Sequence, residues 1–113
     1  MTSVGPLSSL GPHELAPGVR MYPIIGEGAM LNVVELDPGS IVPLHSHPHE
    51  QLGLVLAGFV TMTIDGVAHP CGPDATYVIP GGVEHGAVAG PQGCRVIDVF
   101  QPVREDYRAL VQA

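Results

Sequence analysis

Phe59-Val60-Thr61-Met62-Thr63-Ile64-Asp65-Gly66-Val67-Ala68-His69-Pro70-Cys71 is the stretch on which the fold turns. Its first half is rich in β-branched side chains, which suit a pleated surface. Asp65-Gly66 then gives the strongest short hairpin signal, and the chain returns through Val67 to Cys71. Upstream, Gly58 separates this hairpin from a strand over Leu52 to Ala57. Before that come Ile41 to Ser46 and a run from about Ala29 to Leu36, closed by the turn Asp37-Pro38-Gly39-Ser40. Downstream, Gly72-Pro73-Asp74 leads into Ala75–Ile79, and Pro80-Gly81-Gly82 turns the chain again. His85 to Ala89 and Arg95 to Phe100 follow, with Gly90-Pro91-Gln92-Gly93 read as a loop between them. Only Arg104 to Gln112 has helical spacing, in Tyr107, Leu110 and Val111. Short strands with turns at roughly 8–12-residue spacing predict an all-β fold, a sandwich or small barrel. A barrel's mouth is the natural ligand site.

The chain has 113 residues, enough for one domain and no more. Residues 1–18 hold Gly5-Pro6, Gly11-Pro12 and Pro17-Gly18 and read as an extended arm, because Pro removes the donor that a helix interior needs. Residues 19–113 read as the single domain. Apolar residues make up 45%, too many for a disordered tail. Net charge is −7 with four cations, so the basic stripe that nucleic acid requires is missing. All four are Arg, which excludes Schiff-base chemistry and a phosphate-loop lysine. No apolar run approaches the roughly 20 residues that span a bilayer. The N-terminus has no basic residue before Arg20 and no long apolar stretch, so a secretory signal is not expected. Cys71 and Cys94 lie in no zinc-type spacing and read as reduced thiols. These bounds predict a cytoplasmic protein acting on a small molecule, with no nucleic-acid or membrane partner.

Chemistry concentrates in Gly39-Ser40-Ile41-Val42-Pro43-Leu44-His45-Ser46-His47-Pro48-His49-Glu50-Gln51. Side chains on a strand share a face at every second residue, so alternation projects His45 and His47 together. Two such imidazoles can share a metal ion. Gln51 has the same parity and offers a neutral carbonyl oxygen, and His85 could add a contact from a neighbouring strand. His49 also shares that parity and is a further candidate ligand or proton carrier, although Pro48 distorts the strand beside it. Glu50 has the opposite parity and reads as outward-facing unless a bulge reverses the register. His13 and His69 read as ordinary surface or core histidines.

These segments resemble the paired motifs of the cupin family, G-x5-H-x-H-x3-4-E-x6-G and G-x5-P-x-G-x2-H-x3-N. Gly39, His45, His47 and Gly58 fit the first, with Gln51 in place of Glu; Pro80, Gly82 and His85 fit the second, with Ala89 in place of Asn and Gly72 two residues too distant. The resemblance covers roughly residues 29–101 and implies a jelly-roll β-barrel or sandwich. It also implies one divalent transition metal, Zn, Ni, Fe or Mn, on His45, His47, Gln51 and His85. A Gln in place of a carboxylate leaves such a site more cationic and a stronger Lewis acid. Cupins usually dimerise, so a homodimer is expected, and residues 1–18 could strap across a partner.

In Arg95-Val96-Ile97-Asp98-Val99-Phe100, alternation places Val96, Asp98 and Phe100 on one face. Asp98 inside an apolar strand is either a paired structural carboxylate or a pocket acid/base. Arg104 either holds a substrate carboxylate or pairs at the surface with Glu105 or Asp106. Together with His-Ser-His-Pro-His-Glu-Gln, the segment Val96 to Tyr107 is similar to one cupin group, the pectin-degradation cupins that linearise 4,5-unsaturated uronates. By that resemblance Asp98, Phe100 and Arg104 line the active site and the product is an open-chain keto-uronate. Rival cupin chemistries are aromatic polyketide cyclisation, which needs a long apolar pocket, and dioxygenation. A ligand-binding cupin without enzyme activity is the remaining class, and Asp98, which repels anions, speaks against an acid-sugar sensor.

Overall fold

The computed structural model describes residues 2–112 and contains eight strands and one α-helix. In chain order they are β1 (His13–Ala16), β2 (Val19–Ile25), β3 (Met30–Leu36), β4 (Ile41–His45), β5 (Glu50–Ile64), β6 (Val67–Cys71), β7 (Thr76–Ile79), β8 (His85–Gln101) and α1 (Glu105–Gln112). A short 3₁₀ turn, Leu7–Leu10, precedes β1. All pairings are antiparallel, in the order β1-β2-β3-β8-β5-β6, with β4 added to β8 and β7 to β5. The fold is all-β, as the turn spacing predicts, in the jelly-roll form that the cupin resemblance implies and with the expected short C-terminal helix.

The hairpin at Asp65-Gly66 forms as read. Ile64 pairs with Val67, and both turn residues have positive φ, 51° and 77°. That is the backbone of a type I′ turn, whose twist matches the strands it joins.

Four segments depart from the sequence reading. First, the sheet begins at His13, so a boundary at residue 18 cuts through the β1–β2 hairpin, where Ala16 pairs with Val19. Second, β2 forms over Val19–Ile25 despite Pro23, burying Val19, Met21 and Pro23 at alternate positions. The third and fourth are the two expected breaks, at Gly58 and at Gly90–Gly93, which lie inside the long strands β5 and β8. Register shifts between Val55 and Ala57 and between Gly58 and Val60 bend β5 instead of ending it. Gly58 has φ +77°, and a Cβ there would lie 2.1 Å from the Gly93 carbonyl oxygen.

These two bent strands make the barrel. The first half of β5 and the second half of β8 pair with each other and with β7 and β3; their other halves pair with each other and with β6 and β4. The apolar core, including Val19, Met21, Val55, Val60, Ile79 and Val96, fills the space between. Alternation along β8 holds as expected: Val96, Asp98 and Phe100 are buried and Ile97 and Val99 are partly exposed. Cys71 and Cys94 are free thiols in that core. Among the described residues no helix is long and apolar enough to cross a membrane.

Candidate functional site

His45 ends β4 and lies in register with His85 at the start of β8. The chain then leaves the sheet for residues 46–49, so strand alternation is not what brings His47 beside His45. A loop does it. The Gly82 N–H donates to the His47 carbonyl at 2.8 Å, and Gly81 packs where a Cβ would stand 2.3 Å from the Pro48 carbonyl oxygen. The Pro80-Gly81-Gly82 turn thereby seats the His47 loop. Ring centroids of His45, His47 and His85 lie 4.4–5.6 Å apart, and one nitrogen of each falls within 4.8 Å of the others.

The hydrogen bonds fix what those nitrogens can do. Each Nδ1 faces a backbone carbonyl: His45 that of Pro43 at 2.8 Å, His47 that of His49 at 3.1 Å, His85 that of Val83 at 2.9 Å. A carbonyl only accepts, so all three Nδ1 atoms carry the proton and all three Nε2 atoms present lone pairs. His85 Nε2 is buried with no partner. His47 Nε2 lies 3.2 Å from Gln51 Oε1. With the His47 proton on Nδ1, the Gln51 oxygen faces Nε2 lone pair against lone pair. A cation between them resolves that conflict and supplies the missing partner of His85. The residues present therefore fit a divalent metal, with backbone carbonyls orienting the histidines as second partners of metal ligands usually do. Burial, with Arg104 and His85 nearby, pushes His47 down to about 4, and burial lowers His85 too. Both hold the neutral form that a metal needs.

His49 is only half-buried and stands outside the three-His group; its ring lies 5.4 Å from that of His47. Glu50 is exposed, as its parity predicts. His13 and His69 are elsewhere, on β1 and β6.

Strand register builds the rest of the site. One inward rung crosses four strands as Met30, Phe100, Gln51 and Ile79; the next crosses as Asn32, Asp98, Gly53 and Tyr77. Asp98 is buried, and its Oδ1 accepts a hydrogen bond of 2.6 Å from the Tyr77 hydroxyl. Burial pushes its carboxyl above the ordinary range, against the pull of Tyr77, Gln51 and the Arg104 charge. Tyr77 itself is pushed far up by burial and by Asp98, so it remains the donor. The Tyr77 ring reaches Asp98 across Gly53, where a Cβ would fall 2.0 Å from the ring's Cζ. The Gly53→Ala protein is expected to lose about 1–3 kcal/mol of stability through this overpacking, read as a lower denaturant midpoint.

Arg104, just before α1, is buried at 7% exposure. The expected pairing with Asp106 is present, but on a buried guanidinium and not at the surface. Asp106 takes its Nε and one terminal nitrogen at 3.2 and 2.7 Å, Tyr107 accepts from the other at 3.0 Å, and the guanidinium stacks 3.8 Å from the Tyr107 ring. Three of its five N–H groups are thus engaged and two remain. Arg104, Asp98, Phe100, Gln51, His45 and His85 all line one cavity. Phe100 packs edge-on to His47 at 5.6 Å. Tyr77, Gly53, Asn32 and Tyr107 belong to this site and are not in the sequence reading. Only Asn32 carries a local signal, as a polar residue in the otherwise apolar start of β3.

The model of the cupin domain matches residues 32–100. Dimethylsulfoniopropionate lyase DddW of Ruegeria pomeroyi is 41% identical over 66 residues, which cover 58% of this chain; the chain spans only 43% of that protein's length. Pectin degradation protein KdgF of Dickeya dadantii is 29% identical over 97 residues, covering 84% of this chain and 88% of that one. The solved structure of KdgF from Halomonas sp. superposes with a TM-score of 0.86 at 28% identity, over 95% of this chain and 99% of that one. With the family's model matched over most of the barrel and the three histidines gathered where its motifs fall, the chain belongs to the cupin family.

Proposed function

We propose that the protein is a metal-dependent enzyme that opens the ring of 4,5-unsaturated uronates to give keto-uronates. The observation that carries this reading is the placement of Asp98 and Arg104 in one cavity with Gln51 and with His45 and His85 of the three-His group. The likeness to the two KdgF proteins supports it. His45, His47, His85 and the Gln51 oxygen would hold one divalent ion, of Zn, Ni, Fe or Mn type. Such an ion, when bound, supplies Lewis acidity toward substrate oxygens.

The chain's own residues supply the rest. Arg104 offers its two remaining N–H groups to the uronate carboxylate. Asp98 removes the proton of the anomeric hydroxyl; the C1–O5 bond breaks, C1 becomes the aldehyde, and the electron pair leaves on O5 as an enolate. Asp98 returns the proton to C4, which makes C5 a ketone, so the reaction is an isomerisation with nothing gained or lost. Tyr77 holds the Asp98 carboxyl through Oδ1, and Phe100 walls the cavity against water. The acid and guanidinium in the cavity lining favour a small polar acid over a long apolar polyketide.

The experiment compares the unsaturated monouronate with its methyl ester. The ester removes the charge that Arg104 pairs with, so kcat/KM is expected to fall about 10–100-fold. Equal rates on acid and ester would overturn the reading. The identity to DddW makes a second reading concrete: a lyase acting on another small carboxylate, which the same Asp98 would deprotonate next to the carboxyl group.

A homodimer belongs to the same proposal. Ile24, Leu31, Val99, Leu52 and Val78 form a continuous row across five strands on the outer face, with Ile24, Leu52 and Val78 43–61% exposed. Such a row favours cover by a second copy, and light scattering measures it.

A further inference from the structure

Asn32 is 1% exposed and sits opposite Asp98 on the inner face of β3. Its Nδ2 donates to the Met21 sulfur at 3.3 Å, and its Oδ1 is buried with no partner. The thioether only accepts, so this orientation of the amide is the one the pair allows. Asn32 lines the cavity and Met21 does not. The NH₂ is therefore spent on Met21, which is outside the cavity lining, and the carbonyl oxygen stays buried in the cavity wall without a donor. A buried carbonyl without a donor is costly, and native structures rarely keep one without cause.

The protein groups beside it do not bond it. Asp98, its strand partner, makes no hydrogen bond to Oδ1, and the Tyr77 hydroxyl is spent on Asp98. The remaining Arg104 donors are the ones the uronate reading assigns to a substrate carboxylate. What is missing is an O–H brought by the ligand itself.

We propose that Asn32 Oδ1 accepts a hydrogen bond from a ring hydroxyl of the bound substrate, which makes Asn32 a specificity residue that selects hydroxylated acids over acids without a hydroxyl. The inference rests on the uronate reading and deepens it. A sulfonium carboxylate has no hydroxyl to give and would leave Oδ1 unpaired in the cavity wall. A site built to bond a hydroxyl rejects the analogue that lacks it far more strongly than an apolar site does.

The test uses the metal-loaded full chain with the 4,5-unsaturated monouronate and its 2-deoxy and 3-deoxy analogues. For the wild type, KM is expected to rise about 10–100-fold for one of the two analogues. Asn32→Leu keeps the volume and drops the carbonyl. It is expected to raise KM for the parent substrate by a like factor, to lose the discrimination between analogues, and to leave kcat within about threefold. Its melting temperature should stay or rise by about 2–8 °C, because the orphaned carbonyl is gone. A purely structural asparagine would show the reverse, a lower melting temperature with KM unchanged, and that result overturns the inference. Should Asn32→Leu fail to fold, the wild-type comparison decides alone. A wild type that opens the uronate but treats both analogues like the parent sinks the specificity role and leaves the uronate reading standing. A metal-loaded wild type that opens no uronate sinks both.

Discussion

Asp98→Asn is expected to lower kcat for ring opening by about 10²–10⁴ while the protein keeps its metal. The substitution preserves shape, and the Tyr77 hydroxyl can still donate to the side-chain oxygen at position 98. What disappears is the group that takes a proton from the substrate and returns it. Stability should move the other way. The Asp98 carboxyl lies above its ordinary range because it is buried. The folded state therefore holds its proton more tightly than the unfolded chain does, and Asp98 lowers stability progressively as pH rises through the folded-state value. The Asn protein lacks that slope. Thermal melts between pH 4 and 8 should show a variant at least as stable as the wild type at the upper end. Full turnover by Asp98→Asn, with metal bound, would remove Asp98 from the chemistry.

His85→Ala should weaken metal binding by at least about 100-fold and return ring opening to the spontaneous rate. His85 Nε2 is a buried lone pair with no partner inside the protein, so in the metal-free fold the substitution removes only the Nδ1 hydrogen bond to the Val83 carbonyl. The difference should appear on loading. A metal present at 100 times its dissociation constant stabilises the wild type by about 2.7 kcal/mol, and the variant should show almost none of this at the same concentration. Acid should act on the same groups. His47, pushed down to about 4 from an ordinary 6.5, and His85, lowered as well, bind protons more readily in the unfolded chain. Their contribution is complete above pH 6.5 and is lost as pH falls toward 4. Unchanged metal content in His85→Ala, measured by elemental analysis, would show that another ligand set holds the ion.

How much of this was legible in the sequence follows from what each signal depends on. The Asp65-Gly66 hairpin and the inward face of β8 are local, and both form as read. The histidines gather as the two motifs imply, although a turn seated by Gly81 and Gly82 brings His47 in where alternation along one strand was expected. Gly58 and the Gly90–Gly93 segment look like breaks because Gly and Pro usually punctuate. In a barrel of two long bent strands the same residues serve as bulges, and only the partner strands decide between the two. Tyr77, Gly53 and Asn32 were out of reach for a deeper reason. Their meaning lies in sharing one rung with Asp98 across β3, β8, β5 and β7, and register between strands distant in sequence leaves no trace in any single segment. Arg104 shows a milder form of the same limit. The sequence poses a surface ion pair against a pocket guanidinium; the fold keeps the pair with Asp106 and buries the guanidinium in the cavity lining.

The central claim is that three histidines, Gln51 and Asp98 together make a ring-opening site for an unsaturated acid sugar. Its most direct measurement follows the ultraviolet absorbance of a 4,5-unsaturated uronate monosaccharide with metal-loaded protein, with chelated protein and with buffer alone. Loss of absorbance well above the spontaneous rate with metal-loaded protein, abolished by chelation and restored by adding the metal back, is the predicted result. A metal-loaded protein that leaves the spontaneous rate unchanged would contradict the claim and assign this cupin site to another small acid.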